Sequence, residues 1–534
     1  MPTPDRRSAE RGPRPGCVPR PSRSAGRTLA DLHTLLGRPG DPPAADVLVT
    51  GVTLDSRAVR PGDLYAALPG ARAHGADFAG QAAAAGAVAC LTDPAGATRA
   101  AGSGLPLLVV DDPRARLGGL AAAVYGDPAS RLLLLGVTGT NGKTTTTYLL
   151  DAALRAAGHL TGLVGTVETR VGNERLPSVR TTPEAPDVHA LLALMLERGV
   201  TACAMEVSSH ALALHRVDGV VYDVAGFTNL SQDHLDFHHD MADYFAAKAS
   251  LFTPERARRG VVCVDDEWGR RLVERARVPV VTVTTRPDVE ADWSAGRLEV
   301  AASGATTAFA LRGRGGREYR LTSPLPGEFN VANTALTFVM LLEAGLDAGA
   351  AARGLALAAG VPGRMERVQS SAPDEPLALV DYAHTPDALA AALRALRPST
   401  RGRLVVVLGA GGDRDPSKRP AMGEAAAAHA DLVVVTDDNP RSEDPAAIRA
   451  AVLEGARRAA AASGAEVVEV ADRAQAVAAA VAATAGRADT VLVAGKGHET
   501  GQEVAGTVHP FDDREVLRRA LERWADRTRQ EADA

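Results

Sequence analysis

The segment from Arg131 to Ala157 constrains this chain more than any other. Arg131-Leu-Leu-Leu-Leu-Gly136 reads as a buried strand, and Thr144–Ala157 as a helix. Between them runs Gly136-Val-Thr-Gly-Thr-Asn-Gly-Lys-Thr-Thr145. A strand, a glycine loop and a helix in that order aim backbone N–H groups at a phosphate site. Lys143 is placed to reach the outer phosphates, and the Thr144 hydroxyl to ligate Mg2+. The standard P-loop spacing asks for glycine at 137, where Val137 stands, so this is a variant with glycines at 136, 139 and 142. Such a unit belongs to an α/β fold with a mostly parallel sheet.

A length of 534 residues predicts about three domains. The net charge of -6 argues against a general nucleic-acid binder, which would be basic. Cys17, Cys90, Cys203 and Cys263 are scattered and form no CxxC pair, which fits a reducing cytosol rather than a disulfide framework or zinc site. Residues 1–26, rich in Arg, Pro, Ser and Gly, lack the apolar stretch of a secretory signal and read as a disordered tail. No apolar run approaches the roughly 18–20 residues of a membrane span. The Ala-rich stretches 81–90 and 475–486 read as buried helices.

Strand and helix patterns divide the rest into a small α/β domain over 27–130, a central domain over 131–361 and a third over 362–534. Within the central domain, Thr201–Met205 and Val220–Phe227 read as strands and 281–322 as hairpins, with a helix starting near Asn330. Gly360-Val-Pro-Gly363 reads as a hinge. The third domain repeats the α/β rhythm with strands Leu404–Leu408, Leu432–Thr436 and Thr490–Ala494.

Glu206 follows an apolar strand and is placed to complete a Mg2+ site with Thr144. In Thr228–His238, dense in Asp and His, His234 is the candidate metal ligand. Lys248, taken alone, is a helix-surface lysine. Gly409–Asp415, Asp438-Asn-Pro-Arg441 and Gly495-Lys-Gly-His-Glu499 each follow a strand, so all three belong at one carboxyl edge of a sheet, where ligands bind. Arg414 and Arg441 suit a carboxylate, and Glu499 suits an ammonium, which together describe a zwitterionic ligand.

Together with Leu54-Asp-Ser-Arg57, Arg180-Thr-Thr-Pro183, Phe329-Asn-Val331, Gly363-Arg-Met-Glu366 and Asp381-Tyr-Ala-His-Thr-Pro386, these motifs resemble the Mur ligase family over about residues 50–510. The resemblance implies a three-domain α/β fold: a smaller N-terminal domain for a UDP-linked precursor, a central P-loop ATPase domain with a mostly parallel sheet, and a Rossmann-like C-terminal domain for the incoming amino acid. It implies an ATP- and Mg2+-dependent ligase, monomeric and cytoplasmic, free of nucleic-acid and membrane partners. That ligase joins diaminopimelate to UDP-N-acetylmuramoyl-L-alanyl-D-glutamate (UDP-MurNAc-L-Ala-D-Glu) through an acyl phosphate.

By the same resemblance, Gly139, Thr140, Asn141, Gly142, Lys143, Thr144, Thr145, Asn330, Arg364 and Asp381 contact ATP. Leu54, Ser56, Thr181, Thr182, Ser208 and Arg216 hold the precursor, with 71–73 beside its uridine. Arg414, Asp438, Asn439, Pro440, Arg441, Gly495 and Glu499 hold the diamino acid. Lys248 becomes an N6-carboxylysine (a carbamate) that helps position a second Mg2+ with His234, beside the Mg2+ of Thr144 and Glu206, with Lys143, Glu206, His234 and Lys248 the catalytic set. The base for the amine is left open among Asp and His residues of 233–238 and 381–384. Leu214, where some members have Gln, and Ala410, where Cys is frequent, depart from the family pattern. The alternatives are L-lysine as the added amino acid and a folylpolyglutamate synthase-like ligase. Arg441, a partner for a distal carboxylate that lysine lacks, argues against the first. Leu54–Arg57 and Asp438–Arg441 argue against the second.

Overall fold

The computed structural model describes residues 18–38, 44–176, 178, 180–301, 306–370 and 374–532. It is a mixed α/β chain with three main sheets. The first is a four-stranded parallel sheet, Gly51–Thr53, Asp63–Ala66, Ala89–Thr92 and Leu107–Val109, in that order. The second has eleven strands, and the P-loop strand Leu133–Thr138 lies inside it between Ala202–Glu206 and Val224–Phe227. The third has six strands in the order Glu366–Val368, Leu377–Asp381, Thr490–Ala494, Leu404–Leu408, Leu432–Val435, Glu466–Glu469, all parallel but the first.

Local sequence explains where the helices begin. Asp93-Pro94, Asp112-Pro113, Thr385-Pro386 and Asp444-Pro445 each combine a side-chain N-cap with a proline in the first turn. The cap satisfies an N–H that the helix leaves free, and proline has none to lose. Helices Lys143–Ala156 and Glu328–Glu343 cover one face of the central sheet, with Leu150, Phe338 and Leu341 fully buried there. Ala185–Glu197 and Met241–Ala249 cover the other. Cys90, Cys203 and Cys263 are buried and free.

Four expectations are corrected. Residues 18–26 are not a tail: Arg20 pairs with Asp63 at 2.7 Å, Ser22 binds Glu197 through both its N–H and its hydroxyl, and Gly26 N donates to Val124 O. Composition misleads there because one arginine finds a carboxylate that is 2 % exposed. Residues 1–17 lie outside the described residues. The stretch 81–90 is not one helix, since Ala79–Ala84 is helical and Ala89–Thr92 a strand. The strand expected from Val220 starts at Val224, because Asp223 turns its carboxylate to the Leu134 N–H. Of the hairpins expected over 281–322, only Trp293–Ser323 forms them, whereas Val280–Thr284 runs parallel to both its neighbours.

Candidate active site

The P-loop folds tightly because three of its glycines leave room for neighbours. A Cβ on Gly139 would sit 1.8 Å from Thr228 Oγ1, and one on Gly142 would sit 2.4 Å from Asn333 Oδ1. Lys143 Nζ donates to the carbonyls of Gly139 and Thr140 at 2.9 and 2.8 Å. Lys248 Nζ donates to that same Gly139 carbonyl at 2.7 Å. Lys248 is only 1 % exposed, with its ammonium 4.6 Å from the centre of the Tyr244 ring. The helix-surface reading of Lys248 is therefore wrong: Met241–Ala249 turns this residue inward. Burial, and then the neighbouring Lys143 charge, hold the Lys248 amine well below the usual lysine range. Burial also lowers Lys143, against the pull of Glu206 and Asp233.

Thr144 Oγ1 donates to Glu206 Oε2 at 3.1 Å and accepts from Arg364 Nη2 at 3.3 Å. Thr166, which no sequence motif marks, holds Glu206 with its N–H at 2.8 Å and its hydroxyl at 3.0 Å. A hydroxyl and a carboxylate side by side after a P-loop form a hard oxygen donor pair that fits Mg2+. Among the described residues no group of three or more His, Cys, Asp or Glu side chains gathers as a metal site. His234, at φ +56, packs its ring against His210 at 4.8 Å, and burial pushes it down to about 3, which leaves a neutral imidazole.

A cavity of about 540 Å³ joins these groups. Thr140–Thr145, Glu206, His234, Lys248, Asn330, Arg364 and Asp381 line it, as do the expected precursor residues Thr181 and Ser208. Asn330 is fixed by Pro326 O at 2.7 Å and Asp381 by the N–H groups of Met365 and Ala383. Arg364 stacks 4.3 Å over the Tyr382 ring. His384 also lines the cavity. Its Nδ1 lies 2.8 Å from Tyr382 O, and its Nε2 faces Asp233 Oδ2 at 3.7 Å.

On one side of the cavity, Thr182 Oγ1 donates to Glu206 O, and Ser208 caps the helix Ser209–Ala213. Arg216 Nη1 reaches Thr182 O at 3.3 Å. Its Nε pairs with Glu184 at 3.0 Å, and Arg114 and Arg180 pair with the same carboxylate. That cluster of three arginines on one glutamate is missing from the sequence reading. Leu54 and Ser56 stand apart in the first domain, where Ser56 Oγ donates to Gln81.

On the other side lie the loops of the third domain. Gly495 N donates to Asp381 O at 3.1 Å, which brings the loop of Glu499 to the edge of the cavity. Asn439 Nδ2 donates to Glu499 Oε2 at 2.8 Å, and Lys496, fully buried, reaches Asn439 Oδ1 and Glu499 Oε2 at 3.0 and 3.1 Å. Arg441, at φ +51, donates through Nη1 to Gly412 O at 2.5 Å and so ties its loop to the Gly-rich one. Pro440 O closes the turn onto Glu443 N, and Arg414 is exposed beside Asp413. The role of Lys496 is not visible in the motif Gly495–Glu499, because sequence does not show that a lysine is buried.

Three Mur ligase domains match the chain: a Mur ligase family catalytic domain at 48–125, a Mur ligase middle domain at 137–341, and a Mur ligase glutamate ligase domain at 363–497. A UDP-N-acetylmuramoyl-L-alanyl-D-glutamate–2,6-diaminopimelate ligase of Streptomyces coelicolor is 58% identical over 95% of this chain and 98% of its own. A UDP-N-acetylmuramyl-tripeptide synthetase of Leifsonia xyli subsp. xyli is 51% identical over 96% of this chain and 98% of its own. A solved structure of a UDP-N-acetylmuramoyl-L-alanyl-D-glutamate–2,6-diaminopimelate ligase superposes with a TM-score of 0.65 at 32% identity, covering 93% of this chain and 99% of that one. By motif, fold and identity alike, the chain belongs to the Mur ligase family.

Proposed function

We propose that this chain is the ATP-dependent ligase that adds diaminopimelate to UDP-MurNAc-L-Ala-D-Glu in peptidoglycan precursor synthesis. The observation that supports the reading most is the Gly495–Asp381 hydrogen bond, which continues the pairing of two strands and puts the loop of Glu499, read as part of the zwitterion site, next to a residue that lines the P-loop cavity. The first domain binds the UDP moiety at Leu54 and Ser56, and Thr181, Thr182, Ser208 and Arg216 hold the peptide. All the residues read here as site residues belong to one chain, which supports a monomer. No helix among the described residues is long and apolar enough to cross a membrane. ATP and a nucleotide-linked precursor as substrates support a cytoplasmic location.

A carboxylate is a poor acyl donor until its oxygen is converted into a leaving group. Here the D-glutamyl carboxylate attacks the γ-phosphorus of ATP, giving an acyl phosphate and ADP. The amine of diaminopimelate then attacks the acyl carbon, and phosphate leaves. The protein's part in the first step is alignment and charge neutralisation. Lys143 and Arg364 both line the cavity where that charge develops, and Thr144 and Glu206 are the residues that would hold Mg2+. Bound there, the metal would neutralise phosphate charge. In the second step Glu499 receives an ammonium and Arg441, with Arg414, receives a carboxylate. His384, which lines the cavity beside Asp233, is the residue we assign to accept the amine proton.

Lys248 supports the carbamate reading, because a buried amine held neutral is the form that adds CO2, losing one proton. Protein equilibrated with 13C-bicarbonate should show a carbamate carbon resonance that Lys248→Met lacks. For the reaction itself, phosphate release is measured with precursor plus meso-diaminopimelate, LL-diaminopimelate or L-lysine. Release that needs both precursor and a diaminopimelate isomer supports the reading and names the isomer. A preference for lysine overturns the role given to Arg441.

A further inference from the structure

Behind the two amino-acid loops lies an ion pair with no exposure. Arg473 and Asp513 side chains are each 0% exposed, and two parallel bonds of 2.8 and 2.7 Å join them. Each is the first residue of its helix, Arg473–Ala482 and Asp513–Ala532. The guanidinium also donates to the carbonyl of Ala494 at 2.9 Å and to that of Asp437 at 3.4 Å. Those two carbonyls immediately precede Gly495 and Asp438, so one side chain grips the roots of both loops. Above it the loops meet closely: a Cβ on Gly495 would lie 2.6 Å from Asp438 Oδ2.

Stability alone is a weak reason for such a pair, since well-packed apolar residues of similar volume usually do as well. What apolar residues lack is the directional donor set that Arg473 offers to two separate backbone segments. We propose that Arg473, clamped by Asp513, is a positioning residue for the diamino-acid site. It fixes the spacing between loop 438–441, which carries Arg441, and loop 495–499, which carries Glu499. That spacing selects a ligand whose carboxylate and ammonium straddle both loops. The inference rests on reading those loops as the amino-acid site.

The test is the full-length double variant Arg473→Met/Asp513→Val, which removes the pair without leaving a lone charge. Melting temperature, the KM values for diaminopimelate, ATP and precursor, and the preference for diaminopimelate over L-lysine are measured. The expected result is a wild-type-like melt, a KM for diaminopimelate raised about tenfold or more, a reduced preference over lysine, and ATP and precursor KM values within about twofold. Unchanged diaminopimelate KM and preference in a folded variant overturn the proposal, as does an equal rise in all three KM values. Should the double variant not fold, Arg473→Lys decides: it keeps the charge but cannot hold both carbonyls and the carboxylate at once. A wild-type diaminopimelate KM in Arg473→Lys counts against positioning, and an intermediate rise supports it. The wild-type control separates the two claims, because absence of diaminopimelate-dependent turnover there refutes the site reading itself.

Discussion

Two lysines in this chain are almost wholly buried, and their surroundings are opposites. Lys248, beside the P-loop, has a carbonyl, an aromatic ring and a second lysine as neighbours. Lys496, in the third domain, has Asn439, Glu499 and Asp438 around it, at 3.0, 3.1 and 3.7 Å. Among the described residues Lys248 makes no ion pair with a carboxylate. The central site therefore sets Lys143, Lys248 and Arg364 beside Glu206, Asp233 and Asp381 around one cavity, the mixture that a phosphate with its metal requires. The third-domain site neutralises its own charges and presents a fixed, nearly balanced surface suited to a zwitterion. Burial of the same residue type thus lowers an amine's proton affinity in one place and ties two loops together in the other.

The largest expected effect breaks the comparison on the central side. Lys248→Met should lower turnover by about 10³-fold, or ~4 kcal/mol, while the urea midpoint stays at or above that of wild type. A large loss of stability would show that Lys248 is a structural cation after all. Next, Lys496→Met should destabilise the chain by about 3 kcal/mol, because it leaves the buried Asp438 without its cation and Glu499 with Asn439 alone. Urea unfolding measures this, and a wild-type midpoint would dissolve the contrast. Third, Arg441→Ala should raise the KM for diaminopimelate by about 10–100-fold, ~1.4–2.8 kcal/mol, with the KM for ATP unmoved. Coupled changes in both constants would mean the two sites are not electrically separate.

The smallest effect lies near the junction of the first two domains. Burial pushes the Asp187 carboxyl up to about 6, against the pull of Arg20. A raised acid favours the protonated native state, so its stabilising contribution is complete below the ordinary value of 3.8 and is lost as pH rises through about 6. Asp187→Asn should therefore gain about 1–3 kcal/mol over wild type at pH 7.5 and nothing near pH 4. Denaturation at both pH values reads the difference, and equal gains at both would assign it to something other than titration.

What the sequence reveals follows from how local each cause is. The P-loop strand and helix are legible because glycines, an apolar run and a lysine lie within some twenty residues. The adjacency of Thr144 and Glu206 is legible because both follow strands of one parallel sheet. The third-domain strands Leu404–Leu408 and Thr490–Ala494 are continuous apolar runs, as strands buried on both faces must be. Thr166, Glu184, Arg473 and Lys496 are not legible, because each acquires its role from residues distant in sequence. The Arg473 partners Asp437, Ala494 and Asp513 span 36, 21 and 40 positions. Residues 18–26 fail for a related reason, since composition reports the average of a segment and one ion pair decides its fate.

The fastening of residues 18–26 has a mechanical consequence. Val18 packs on the central core and Ser22 binds Glu197 there, whereas Arg20 and Gly26 bind the first domain. The first domain is thus joined to the central one covalently through 125–131 and non-covalently through residues 18–26. A body held at two points turns only about the line joining them. The third domain enters through 357–365 alone, a single pivot, and its remaining ties, such as Lys418 to Asp233 at 3.4 Å, are non-covalent. A rotation of the third domain against the central one would therefore turn about 357–365 and break ties of this kind.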